Sequence, residues 1–350
     1  MTLPQFLPWQ HATAQRWLAD QERFAHAWII HGMQGIGKTQ FARAAAASLL
    51  CAAPHKGLSC GECASCRWVA SGNHPDLRFI RPDAVAVLEG DEAAAGGGRE
   101  GSAPSREIRI DQLRSLNSWF NTKTHRGGWR VAVVYPAESL NPVSANAMLK
   151  ILEEPPAATV FLLVAHAPDR LLPTLVSRCR RLPLAVPERD DSEAWLHTQG
   201  VEPAAAWLAA SSQAPLRAQA AFEKGGEACP AWLCDLLAIA RYGSANPAVG
   251  ELADALAKEE TVFWLDTLQR LFMDVLLVHH AAGSRYYPEL ASATGPIAAQ
   301  ASPLRLLETL RWLGRQKALA AHPLNERLLL HTTLQRVVLA LAPGVAHSRS

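Results

Sequence analysis

The stretch Gly32-Met33-Gln34-Gly35-Ile36-Gly37-Lys38-Thr39 narrows the possible folds of this chain more than any other. It follows an apolar run from Ala27 to Ile30 and opens a small-residue segment whose composition predicts a helix from about Gln40 to Cys51. Strand, glycine turn and helix then stand in the order that the spacing G-x-x-x-x-G-K-[ST] requires. Glycines lack the Cβ atoms that would keep backbone N–H groups from closing around phosphate oxygens. The helix start adds partial positive charge, Lys38 adds a full one, and Thr39 offers a hydroxyl to a magnesium ion. Gly32, Gly35, Gly37, Lys38 and Thr39 are therefore the candidate nucleotide-binding residues.

A phosphate cradle needs a sheet behind it, and the next 150 or so residues supply the pattern for one. Residues 10–23, with Ala14, Trp17 and Leu18 apolar, predict an amphipathic helix ahead of the first strand. Short apolar runs at Leu77 to Ile80, Trp129 to Tyr135 and Thr159 to Ala165 read as buried strands. Between them, Asp111 is placed to cap a helix carrying Leu113, Leu116, Trp119 and Phe120, and a second helix runs from Val143 to Glu154 and stops at Pro155-Pro156. A third ends near Ser177-Arg178-Cys179. This alternation predicts a parallel α/β sheet. The glycine-, alanine- and acid-rich span 83–106 reads as a surface loop, and His125, Arg126 and Arg130 as a small basic patch, solvated or facing phosphate.

Cys60, Cys63 and Cys66 form C-x2-C-x2-C, and Cys51 ends the preceding helix; Cys179, Cys229 and Cys234 are scattered. Four thiolates suit a tetrahedral, structural zinc ion, since they leave no open position for water. His74, beside Pro75, is either a further metal candidate or a loop cap. No secretory signal begins the chain and no apolar run approaches the roughly 20 residues that span a bilayer, so the expectation is a cytoplasmic protein with no membrane partner and reduced thiols. The net charge of +2 does not mark a nucleic-acid binder.

With 350 residues, two or three domains are expected. The expected division is 1–185 for the α/β domain with a metal module at 51–66, 186–243 for a small helical domain, and 244–350 for a second. Helical patterns at 192–198, 203–211 and 216–222 precede a hinge at 243–247, and long amphipathic segments follow at 261–280, 304–321 and 325–341.

These pieces together resemble the clamp-loader branch of the AAA+ ATPases, and within it the delta-prime family of bacterial DNA polymerase III. The resemblance rests on Cys51 with Cys60-Gly61-Glu62-Cys63-Ala64-Ser65-Cys66, on His74-Pro75-Asp76, on the run from Ser144 to Pro156, and on Ser177-Arg178-Cys179. It implies an AAA+ nucleotide-binding domain with a zinc module, an all-α lid and an all-α collar. It also implies a place beside gamma/tau and delta subunits in a five-membered ring that opens a sliding clamp and loads it on primed DNA during replication. By the same match, Arg178 reaches a neighbour's ATP site as an arginine finger, and Arg217 occupies the place of a phosphate-sensing lid arginine for bound ATP or ADP.

Two departures qualify that resemblance. Hydrolysing relatives carry Asp-Glu where this chain has Tyr135-Pro136, and Ala165 stands where a polar sensor is expected. Phosphoryl transfer needs a held metal and a positioned water. The expectation is a scaffold that keeps its cradle without turning nucleotide over. The alternative is a gamma/tau-type motor in which another acid, such as Glu138, substitutes. A third reading makes the cysteine module a DNA-binding finger, but it has one nearby base, Arg67, and no arginine-lined recognition helix.

Overall fold

The computed structural model describes residues 2–19, 24–91, 103–125, 127–242, 247–319 and 325–342. They fall into two compact units, residues 1–191 and residues 192–350.

The first unit is built on a five-stranded parallel sheet, β1 (Ala27–His31), β2 (Leu77–Ile80), β3 (Arg130–Val134), β4 (Thr159–Ala165) and β5 (Arg180–Pro183), in the order β2-β3-β4-β1-β5. Every pairing is parallel, and His31 lies level with Ala165 on one side and Pro183 on the other. β3 and β4 are buried along their whole length, which is why they read as unbroken apolar runs rather than alternating ones.

Alternate strand residues feed two cores. Ile30, Val131, Val133, Val160 and Val164 pack with α2 (Lys38–Leu49) and with Phe6 and Leu18 near the chain start. Ile29, Ala132, Val134 and Leu163 pack on the opposite face with α5 (Ile110–Phe120), α6 (Pro142–Glu153) and α7 (Pro173–Val176). The consecutive alanines Ala44 to Ala47 of α2 are all buried, so the helix that opens at the glycine turn lies close on the sheet. The remaining helices of this unit are α1 (His11–Trp17), α3 (Ala64–Ala70) and α4 (Asp83–Leu88).

Three local expectations are corrected. The span 83–106 begins as α4 rather than as a loop, with Asp83 buried and paired with Arg109 at 2.8 Å; residues 92–102 lie outside the described set. α5 starts one residue before Asp111, and its first turn is closed by Gln112, whose side-chain oxygen accepts from the Arg109 N–H at 3.0 Å. Arg130 joins no basic patch. It is buried against the Trp119 ring and donates to the Thr122 carbonyl at 2.5 Å. Arg126 lies outside the described residues.

Among its described residues the second unit contains helices and no strand. It comprises most of α8 (Arg189–Thr198), then α9 (Ala204–Ala210), α10 (Pro215–Glu223), α11 (Trp232–Tyr242), α12 (Pro247–Leu256), α13 (Thr261–His279), α14 (Ala291–Gln300), α15 (Pro303–Leu319) and α16 (Glu326–Leu341). Leu196, Val201, Trp207, Leu208 and Ala218 form a small core of their own. A larger core gathers α11 to α16 around Trp264, Leu268, Phe272, Leu313 and Leu334. The carboxylate of Asp274, fully buried on α13, accepts backbone N–H bonds from Arg285, Tyr286 and Tyr287 and so fixes the loop before α14. Among the described residues, no helix is long and apolar enough to cross a membrane.

Candidate nucleotide site and metal centre

β1 ends at His31 and the chain turns through the glycine loop into α2, so the loop sits at the carboxyl edge of the sheet beside the ends of β4 and β5. Gly32, Gly35 and Gly37 have φ of 147°, 86° and 88°, values that side-chain-bearing residues rarely adopt. A Cβ on Gly32 would stand 2.5 Å from the Leu184 carbonyl oxygen, so the first glycine is required by the strand next door as well as by any ligand. The loop therefore holds a backbone that only glycine adopts without strain at these three positions.

Lys38 is 3% exposed and folds back on the loop, donating to the Met33 carbonyl at 2.6 Å. Burial pulls its amine down to about 8, with the Glu138 carboxylate pulling the other way. Burial and the neighbouring cations Arg181 and Lys38 lower His31, and burial and Lys38 lower His166, so both rings favour the neutral form. Thr39 lies in the first turn of α2, half-buried. Next to the loop a cleft of about 200 Å³ is lined by Trp9, Gln10, Ile36, Leu184, Val186 and Asp191. Gln10 and Trp9 also bond to the loop's carbonyls, contacts across more than 25 residues that no local pattern signals.

The strand end that should carry the metal-holding acids carries Tyr135, which points into the α2 face of the sheet. Its hydroxyl accepts from Arg43 at 2.6 Å and from Arg81 at 3.1 Å and donates to Glu89 at 2.8 Å; burial pushes the phenol up to about 12. Glu89 also pairs with Arg43 at 2.6 Å and Arg81 at 3.1 Å. Arg81 pairs in addition with Asp91 at 3.2 Å, which balances the two guanidinium charges. Arg43 comes from the glycine-loop helix itself, so the network ties that helix to the ends of β2 and β3. Glu138, the nearest acid beyond the proline, accepts the backbone N–H bonds of His166 and Ala167 through one oxygen, at 2.5 and 2.7 Å. It bridges the exits of β3 and β4, the place where Ala165 ends its strand.

The four cysteines converge. Sγ atoms of Cys51, Cys60, Cys63 and Cys66 all lie within 4.8 Å of one another, with Cys51–Cys63 and Cys60–Cys66 each at 3.9 Å. Sulfurs about 2.3 Å from a tetrahedral zinc ion stand roughly 3.8 Å apart, so the set fits that metal. The N–H groups of Cys60, Cys63 and Cys66 point at the sulfurs of Cys51, Cys60 and Cys63, which favours thiolates. His74 is no part of the group. Its Nδ1 accepts from the Asp76 N–H at 3.1 Å, the loop-capping alternative.

Arg178 follows α7 and is half-exposed. It donates to the Glu153 carboxylate at 2.5 Å and to the Thr174 carbonyl at 2.8 Å. The acid that holds it is thus on α6, not the nearby Asp169. Arg217 belongs to the second unit, on α10, and pairs with Asp266 of α13 at 2.7 Å; Arg270 and Lys317 share that carboxylate.

A family model described as "DNA polymerase III, delta subunit" matches residues 10–188, about half the chain. DNA polymerase III subunit delta' of Escherichia coli K12 is 30% identical over 345 residues, 97% of each chain. The chain belongs to the DNA polymerase III delta-prime family. Subunit delta' of Pseudomonas aeruginosa is 40% identical over 216 residues, which is 61% of this chain and 60%, under two thirds, of that relative. The DNA polymerase III subunit gamma/tau of Mycobacterium tuberculosis H37Rv is 33% identical over 175 residues, half of this chain and 27% of that one.

The family-model match from 10 to 188 takes in the glycine loop, the four cysteines and Arg178, whereas Arg217 lies beyond it. The metal centre gives the first test. Elemental analysis of protein purified without chelator should find about one zinc per chain. Cys63→Ser should release the metal and loosen 51–66 while the circular dichroism of the α/β unit persists. Metal-free native protein would refute the assignment.

Proposed function

We propose that this delta-prime family member works as a non-hydrolysing scaffold of a DNA polymerase III clamp loader. In this reading it sits beside gamma/tau and delta subunits in a pentameric ring, and contributes Arg178 to a neighbour's ATP site. The assembly opens the sliding clamp and places it on primed DNA. Residues 186–243 act as the lid and 244–350 as the collar that joins the ring; the small core around Leu196, Trp207 and Leu208 supports a separate lid, while α11 packs with the larger core. The Cys51, Cys60, Cys63 and Cys66 set holds structural zinc.

The observation that carries the reading is a phosphate cradle beside a strand end without its acids. The tyrosine there is committed to Arg43, Arg81 and Glu89. Glu138 lies beyond the strand end, anchored through one oxygen to two backbone amides, while its other oxygen is buried without a hydrogen-bond partner. A bound ATP or ADP would be held by the loop amides, Lys38 and Thr39, while Trp9 and Leu184 wall a space for the base. Such a nucleotide supplies negative charge that orders the cradle; its hydrolysis would need a carboxylate-anchored metal.

Calorimetry with ADP on the purified chain, paired with a steady-state ATPase assay, tests this. We expect binding without measurable turnover. Phosphate prefers the charged lysine, so affinity should weaken as pH rises past about 8, approaching tenfold per pH unit beyond it. Steady hydrolysis that disappears in Lys38→Ala would instead favour the motor reading, with Glu138 as the acid.

A further inference from the structure

We propose that Gln10 is a positioning residue for phosphate binding, its buried side-chain amide holding two carbonyls of the glycine loop outward so that the loop's N–H groups face the ligand. The proposal rests on the nucleotide reading above and adds the chain's N-terminal turn to the site.

Gln10 closes the turn Pro8–Gln10 and is only 3% exposed. Its Nε2 donates to the Ile36 carbonyl at 3.1 Å and to the Gly37 carbonyl at 2.9 Å, and its Oε1 accepts from the Leu7 N–H at 3.1 Å. The orientation of the amide is forced, because Leu7 N–H can only donate and the two carbonyls can only accept. Trp9 Nε1 adds a second bond to the Ile36 carbonyl at 3.2 Å. The Gly37 carbonyl already accepts the first helical bond, from the Phe41 N–H at 2.8 Å. Gln10 therefore uses its remaining lone pair.

A trans peptide is planar, with C=O and N–H on opposite sides. Turning the Ile36 carbonyl toward Gln10 aims the Gly37 N–H the other way, and turning the Gly37 carbonyl does the same for the Lys38 N–H. These are amides at the start of α2, where an anion is most favourably held. A left-handed glycine such as Gly37 has little preference of its own between orientations. Two donors from a buried amide remove that freedom before any ligand arrives. The same turn walls the adjoining cleft through Trp9 and Gln10, so a base seated there rests on the residues that set the loop.

The test compares Gln10→Glu and Gln10→Met with the unaltered chain. Glutamate keeps the shape and the acceptor for Leu7, but it presents lone pairs to the two carbonyls; methionine removes donor and acceptor alike. Two readouts are taken: calorimetric affinity for ADP, and hydrogen exchange by residue group in the ligand-free protein. We expect Gln10→Glu to weaken ADP at least about tenfold and to speed exchange of the 36–39 amides about as much, with the β4 amides, residues 159–165, unchanged. Unaltered loop exchange would overturn the proposal, and so would faster exchange spread evenly over the sheet, which would mark a merely structural glutamine. If the unaltered chain binds no ADP, the nucleotide reading fails by itself, and the exchange readout alone decides whether Gln10 orders the loop. Should the glutamate variant fail to fold, the methionine variant carries the same comparison.

Discussion

Replacing Arg178 with alanine should leave the chain folded and able to join its partners, yet depress ATP hydrolysis at one neighbouring site by roughly 10³-fold. The stability half of this expectation follows from exposure. The Arg178 and Glu153 side chains are 35% and 49% exposed, and pairs in that setting contribute about 0–1 kcal/mol. The activity half follows from chemistry. A guanidinium stays charged at any working pH and presents a fork of donors that can bridge phosphate oxygens as charge redistributes in the transition state. Glu153 holds that fork ready at the end of α6, and its exposure lets a better anion replace it. Arg178→Lys should recover only part of the rate, because the charge remains but the fork is lost. Arg180 and Arg181, both exposed, lie in β5 beyond the motif position and serve as charge controls. DNA-stimulated ATPase of the assembled loader is the measurement; a whole ring should lose less than the affected site, since its other sites keep their own arginines. Wild-type hydrolysis and clamp loading by the Arg178→Ala assembly would leave Arg178 with a local role alone, holding Glu153 and the Thr174 carbonyl.

Parts of the site that depend on short-range order were legible in the sequence. The glycine loop needs its residues contiguous, the three clustered cysteines are spaced to turn toward one metal, and a strand end without Asp-Glu announces itself. The parts that were not legible arise from pairings between distant positions. Tyr135 reads as a missing acid; only the fold reveals that Arg43, 92 residues away, and Glu89 claim its hydroxyl. Arg130 looks like a surface cation because it follows Gly127 and Gly128, but parallel pairing puts it in a buried row against Trp119. α4 was missed for a different reason. Its six residues are too few for helical periodicity to stand out from the alanine- and glycine-rich sequence after them, and its start is fixed by the Asp83–Arg109 pair from outside the segment. Gln10 gave no signal at all, since a single polar residue at a helix start is ordinary until its buried partners are known.

Gly32 shows how a motif position can answer to two demands, and it supports the second large prediction. Sequence reasoning assigns the glycine to phosphate approach. The structure adds that its φ of 147° lies in a region side-chain-bearing residues avoid, and that a Cβ would meet the Leu184 oxygen at 2.5 Å. That oxygen cannot retreat freely, because the Leu184 N–H donates to the His31 carbonyl at 2.8 Å and continues the β1–β5 ladder. Gly32→Ala should thus combine roughly 1–3 kcal/mol of backbone strain with a similar amount from overpacking. For a unit of this size a loss of about 4 kcal/mol lowers the melting temperature by about 10 °C. Relief of the clash would push Leu184 away from β1, and Leu184 also lines the cleft beside the loop, so ADP affinity should fall in the same variant. Gly128→Ala is the matched control, since a Cβ there has nothing within 4 Å. If Gly32→Ala melts within a degree or two of Gly128→Ala and binds ADP as well, the loop has more room than the Leu184 contact allows, and phosphate approach alone explains the glycine.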